Sequence, residues 1–242
     1  MHLRYREPMR IWFAIIAAGV CAGLLAIGGR VVLPAPAAAG FASTPDAGDV
    51  ASGASAAPDP DSGAELIGTP APPWTFDRWI GSKPLTLRAL RGKVVLVRWW
   101  TEGCHFCRST LPVLEDLERR DGPNGLVVIG VFHPKPPHPV SDRHILQVAH
   151  QLGFDGPIAV DGEWKTLERY WLADRPDRNW TSVSFLIDRQ GVIRWVHGGG
   201  EYHPSDDPAH ERCDLQYRGL ERVLGQVLAE KTSASSGPRR AS

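Results

Sequence analysis

The 242-residue sequence lacks the signatures of several common catalytic classes. It has no P-loop, GxGxxG, HExxH or GxSxG pattern, so no phosphate cradle, zinc-peptidase helix or nucleophile elbow is written in it. It has no charge excess: Lys plus Arg and Asp plus Glu each number 27. That balance lacks the basic field a nucleic-acid partner selects. It has no internal repeat, which excludes a solenoid. It is also poor in cysteine, with only Cys21, Cys104, Cys107 and Cys213. Four in a chain this long do not make a disulfide framework. Hydrophobic residues make up 43% of the chain, enough for one domain with a proper core plus extensions.

The first 30 residues address the chain. Arg4, Arg6 and Arg10 precede an uncharged apolar run over 11–29, and the charges that follow Arg30 are acidic. Nineteen uncharged residues nearly span a bilayer as a helix. The cationic flank keeps the N-terminus in the cytoplasm and exports the rest. Residues 1–30 therefore read as a single-pass membrane anchor, or as a signal segment cleaved near the small residues 35–40. The location that follows is the cell membrane with the domain in the periplasm or otherwise outside the cytoplasm, or a released periplasmic or secreted protein. Residues 31–64, rich in Ala, Pro, Gly, Ser and Asp, read as a flexible tether. The tail 231–242 reads the same way.

Hydrophobic patterning begins near Glu65 and continues to residue 230. The run 93–100 is nearly continuous in β-branched and aromatic residues, as in a strand buried on both faces. Over 107–120, Leu111, Leu114 and Leu117 recur at helical spacing. Strands are expected at 126–132 and 157–160, and helices at 143–153, 163–171 and 215–230. The segments 183–188 and 192–197 flank a turn and predict a hairpin. This alternation predicts an α/β three-layer sandwich, a central mixed sheet with helices on both faces. The first two strands are expected to be parallel, connected through the cysteine-bearing helix.

That arrangement puts Cys104 in the loop leaving the first strand, at a helix N-terminus. Unsatisfied N–H groups and the positive helix end stabilise a thiolate there. Cys104, the more exposed of the pair, is expected to attack a disulfide, and Cys107, one turn on, to resolve the mixed disulfide. His105 between them either adds positive charge or is a solvent-facing spacer. A structural disulfide and a metal site are the alternatives. A zinc site wants four ligands. Further ligands would have to come from His203 and His210, read as solvated loop residues, from Cys213, read as a free, buried or tail thiol, or from His133 and His138, read as a rigid surface turn.

The segment GKVVLVRWWTEGCHFCRSTLP (92–112) resembles the active-site strand and helix of thioredoxin-like proteins, in particular the membrane-anchored TlpA/ResA type of thiol–disulfide oxidoreductase. Trp100 matches the aromatic ahead of the motif and Pro112 the helix proline. The stretch 184–199 is similar to the hairpin after the active site, and 141–160 to that branch's βα insertion. The likeness covers residues 65–230. It implies a thioredoxin-like fold, a redox-active Cys104–Cys107 disulfide, exchange without a cofactor or bound metal, protein thiols or disulfides as substrates, and a membrane electron donor.

Three positions depart from that pattern. Ser182 stands where the resemblance implies a cis-proline facing the cysteines. Arg98 stands where a buried acid is usual. It either holds a thiolate or substrate oxygen, or forms a buried ion pair. Gly103 replaces an aromatic and opens the site on one side. Thr101, three residues before Cys104, is similar in placement to the threonine of peroxiredoxins, so peroxide reduction is a second reading. Copper binding by the CxxC with His133, His197 or His203 is a third. The nine Trp residues are expected mainly in the core.

Overall fold

The structure, a computed structural model, describes residue 59 and residues 62–230. The expected segment at 1–30, most of the tether and the tail 231–242 lie outside the described residues. Among the described residues, no helix is long and apolar enough to cross a membrane. Asp59 already meets the domain, its carboxylate 3.8 Å from Arg212, and at Gly63 a Cβ would lie 2.8 Å from both Trp171 and Val196 side chains.

Six strands form one mixed sheet: β1 (Arg78–Ile80), β2 (Val94–Trp100), β3 (Leu126–Phe132), β4 (Ile158–Val160), β5 (Ser184–Ile187) and β6 (Ile193–His197). Their spatial order is β1-β4-β3-β2-β5-β6. β2 pairs in parallel with β3, and β3 with β4; β5, β6 and β1 join antiparallel. β2 is central and every one of its residues is buried. This explains the apolar run, broken only by Arg98: both faces of the strand meet protein, so no polar alternation is needed.

The helices are α1 (His105–Asp121), α2 (Asp142–Gln151), the single turn α3 (Lys165–Leu167) and α4 (Glu211–Ala229). One face of the sheet (Val94, Leu96, Trp100, Val128) packs on Leu111, Leu114 and Leu117 of α1, Ile145 of α2, and Leu220, Leu224 and Val227 of α4. The other face (Val95, Val97, Trp99, Ile129) packs on Leu167, Tyr170 and Trp171. Helices thus cover both faces, as the three-layer reading requires. Burying each of the α1 leucines contributes about 1.5–3 kcal/mol.

Four local details depart from the sequence reading. β1 was not anticipated: three residues at a sheet edge, one of them buried, are too few to display a period. α1 starts at His105, because the Cys104 sulfur caps it. α4 starts at Glu211, because Asp207 caps a 3-10 turn (Pro208–His210) that runs into it. The expected helix at 163–171 is the short α3 followed by a π turn over Glu168–Leu172. The β5–β6 hairpin closes as predicted. The Asp188 carboxylate accepts the amides of Gln190 and Val192, and Gly191 sits at φ 81°.

Candidate active site around Cys104 and Cys107

β2 ends at Trp100, and the turn Thr101-Glu102-Gly103 delivers the chain to α1. Gly103 adopts φ 70°, and nothing lies within 4 Å of where its Cβ would be. The glycine is therefore required by the left-handed backbone rather than by lack of room. The turn leaves Cys104 as the N-cap of α1, with its Sγ accepting the Cys107 amide at 3.2 Å. Cys104 and Cys107 are joined as a disulfide with Cα atoms 5.3 Å apart. Cys107 is fully buried and Cys104 half-buried, so one sulfur faces the outside and the other backs it from within the helix.

Ser182 faces the pair from the loop before β5. Its Oγ lies 3.3 Å from the Cys104 sulfur and 3.7 Å from that of Cys107. The position implied to hold a cis-proline thus presents a hydroxyl to both sulfurs. Thr101 is buried, and its hydroxyl has no hydrogen-bond partner. Thr101, Cys104, His105, Phe106, Trp180 and Ser182 belong to the wall of one groove of about 290 Å³. A second groove, of about 630 Å³, opens on the other side of Cys104 toward Pro112 and Gly153. Its presence agrees with the expectation that Gly103 leaves that side open.

His105 is exposed at the rim, edge-on to Phe106. Trp100 does not reach the groove: it is fully buried against Phe132 on the α1 side of the sheet. The tryptophan that lines the groove is Trp180, edge-on to Phe106 at 5.8 Å. Trp74, Trp99, Trp171 and Trp195 are core residues, as expected.

Arg98 is fully buried beneath this region and makes no direct ion pair among the described residues, Glu201 acting on it only as a nearby charge, which corrects the ion-pair expectation. Its guanidinium donates to Ser184 Oγ at 3.1 Å and to the Gly200 carbonyl at 2.8 Å, and it lies 5.3 Å from the centre of the Tyr202 ring. Tyr202 in turn meets Ser184 Oγ at 3.0 Å. Burial weakens the guanidinium's hold on its proton, opposed by Tyr202 and Glu201, but an arginine side chain stays charged. The direct contacts to this charge are neutral dipoles and an aromatic face. Ser184, Gly200 and Tyr202 carried no signal in the sequence. Their role depends on β5, β6 and the following loop meeting β2.

Two histidine expectations are also corrected, for His133 and for the pair His203 and His210. His133, read as part of a surface turn, is fully buried beside Trp164, and burial lowers its pKa to about 3. His197 is fully buried against Trp195 and Tyr202 and held well below its ordinary value by burial, with Arg98 and Arg212 adding to the shift. His203 and His210, read as solvated loop residues, converge with Glu201 and Cys213. Among the described residues, that is the one group of three or more ligating side chains drawn together, and neither Cys104 nor Cys107 belongs to it. Cys213 is a free thiol, pushed up by burial and by Glu201.

A parallel β2-α1-β3 unit extended by an antiparallel hairpin, with a CxxC disulfide capping the first helix, defines a thioredoxin-like protein. Residues 67–196 match the family model of the AhpC/TSA family, and the chain belongs to that family. Protein DipZ of Mycobacterium tuberculosis is 32% identical over 131 residues, 52% of this chain and 17% of that protein. The thiol–disulfide oxidoreductase ResA of Bacillus anthracis is 26% identical over 127 residues, 52% of this chain and 66% of that one. A thiol–disulfide isomerase from Corynebacterium glutamicum superposes with a TM-score of 0.50 at 26% identity, covering 66% of this chain and 98% of that structure. The match thus spans about one sixth of DipZ and about two thirds of ResA.

Proposed function

We propose that the protein is a thiol–disulfide oxidoreductase that exchanges disulfides with protein substrates through Cys104 and Cys107. One observation carries this reading: a half-buried sulfur at a helix N-cap, backed by a buried partner already at disulfide distance. In the reduced form the Cys107 amide and the positive end of α1 favour a Cys104 thiolate. The thiolate attacks a substrate disulfide. One substrate sulfur leaves as a thiolate and takes up a proton, and a mixed disulfide forms. Cys107, deprotonated, then attacks Cys104 Sγ, releases the second substrate thiol and closes the Cys104–Cys107 bond. The reverse sequence oxidises a dithiol substrate. No cofactor enters either direction.

Ser182 is assigned to hydrogen-bond the attacking sulfur, and Thr101, Phe106 and Trp180 to receive the substrate chain in the groove. His105 is assigned to add charge at the rim. Trp100 and Arg98 position the strand and loop beneath the pair from within the core. The peroxide reading is not favoured, because both terminal nitrogens of Arg98 are taken up by Ser184 and Gly200 and the Tyr202 ring lies beside the guanidinium. We further propose that the domain works outside the cytoplasm with a membrane electron donor, a reading supported by the cationic flank and apolar run of residues 1–30.

The test is trapping. Cys107→Ser is expected to accumulate a mixed disulfide through Cys104 when offered an oxidised protein substrate, and Cys104→Ser to form none. Exchange that survives in Cys104→Ser refutes the assignment.

A further inference from the structure

The loop after β6 and the start of α4 build a second constellation of reactive side chains that the exchange chemistry does not use. Glu201 and His203 come from the loop, His210 from the 3-10 turn, and Cys213 from the first turn of α4. One ligating atom from each lies within 4.8 Å of every other. Cys213 Sγ is 3.7 Å from Glu201 Oε1 and 3.8 Å from His210 Nδ1, and that nitrogen is 4.0 Å from Glu201 Oε1. The ligands of a tetrahedral zinc ion, with bonds of about 2.0–2.3 Å, stand about 3.3–3.6 Å apart. The observed spacings exceed that by a few tenths of an ångström to about an ångström, within reach of side-chain adjustment.

Two further observations point to a ligand. His203 Nδ1 lies 3.2 Å from the Pro204 carbonyl. The proton on that nitrogen points to the carbonyl, which leaves Nε2 with its lone pair, as in metal-bound histidines whose other nitrogen is fixed by a backbone acceptor. That Nε2 and Glu201 Oε2 are both buried atoms without a hydrogen-bond partner. Buried polar atoms are nearly always satisfied, so each of these two atoms calls for a partner that the chain does not supply.

We propose that Glu201, His203, His210 and Cys213 form a four-ligand site for a zinc-type divalent metal, separate from the Cys104–Cys107 pair. Two imidazoles, one carboxylate and one thiolate are a donor set that zinc accepts, and binding releases the Cys213 thiol proton. The site closes the loop 201–213 onto the N-terminus of α4. Residues alternate along that loop: Glu201 and His203 belong to the cluster, while Gly200 and Tyr202 hold Arg98. A bound metal therefore braces the partners of the buried arginine.

The test uses the full chain carrying Cys104→Ser and Cys107→Ser, so that the redox thiols cannot compete. Titration with Co²⁺ is expected to give one equivalent of a four-coordinate species, with strong visible bands and a near-ultraviolet thiolate charge-transfer band, both bleached by Zn²⁺. Adding Cys213→Ser should abolish the charge-transfer band. His203→Ala should weaken Zn²⁺ binding by more than about 100-fold, beyond the effect of losing an outer-shell partner. Near-ultraviolet circular dichroism identifies any variant that misfolds. His210→Ala, at a partly exposed ring, then serves as the second ligand deletion. Absence of the charge-transfer band, or its persistence without Cys213, overturns the proposal.

Discussion

Replacing Ser182 with alanine removes one hydroxyl and tests whether it tunes the cysteine pair. The Oγ lies 3.3 Å from Cys104 Sγ and 3.7 Å from Cys107 Sγ. Against a disulfide sulfur the hydroxyl makes a neutral contact, worth about 0.5–1.5 kcal/mol at most. Against a Cys104 thiolate it donates to a charge, a bond worth about 1.5–3 kcal/mol. The difference, about 1–1.5 kcal/mol, stabilises the reduced protein relative to the oxidised one. For a two-electron couple about 1.4 kcal/mol corresponds to 30 mV, so Ser182→Ala should lower the reduction potential by about 20–30 mV. The assay equilibrates the protein in a series of glutathione or dithiothreitol buffers and counts free thiols by alkylation and mass. The change deletes one oxygen beside the disulfide, so stability should fall by less than about 1 kcal/mol. A potential that stays unchanged or rises refutes the claim that this hydroxyl supports the thiolate.

Three further outcomes follow from the same structure. Gly103→Ala meets no atom within 4 Å yet sits at φ 70°, so it should cost about 1–2 kcal/mol in denaturant unfolding, from backbone strain alone. Leu114→Ala, in the fully buried seam of α1, should cost about 2–5 kcal/mol in the same experiment, with the cavity it leaves included. His133 binds a proton near pH 3 in the fold and near pH 6.5 when unfolded, so the unfolded state takes up more protons between those values. Its contribution is therefore present above pH 6.5 and lost as pH falls toward 3. Between pH 7 and pH 5 the loss from this residue is roughly 2 kcal/mol. His133→Gln should flatten the stability profile over that window, and an unchanged slope would contradict the buried, neutral imidazole.

The sheet and its helices were legible wherever burial imposes a period. Val94–Trp100 is apolar at every position but Arg98 because both faces of the strand are covered, and Leu111, Leu114 and Leu117 repeat because one helical face meets the sheet. The CxxC was legible because spacing and a following helix bring the two sulfurs together through local geometry alone. Ser182 was legible only through the family resemblance. Its distance from the sulfurs, 78 and 75 residues away in the chain, depends on β5 lying beside β2.

By itself the sequence determined the α/β alternation, the place of the cysteine pair at a helix N-terminus, and the balance of charge that leaves nucleic acid aside. Only the tertiary structure decided the rest. Arg98 is held by a hydroxyl, a carbonyl and a ring, His133 and His197 are interior residues, and the histidines of the 201–213 loop meet a carboxylate and a thiol. The physical reason is range. Hydrophobic period and helix capping act over a few neighbouring residues, so a linear chain displays them. The partner of a buried polar group is chosen by whichever strand or loop packs against it, and that choice exists only once the layers have closed.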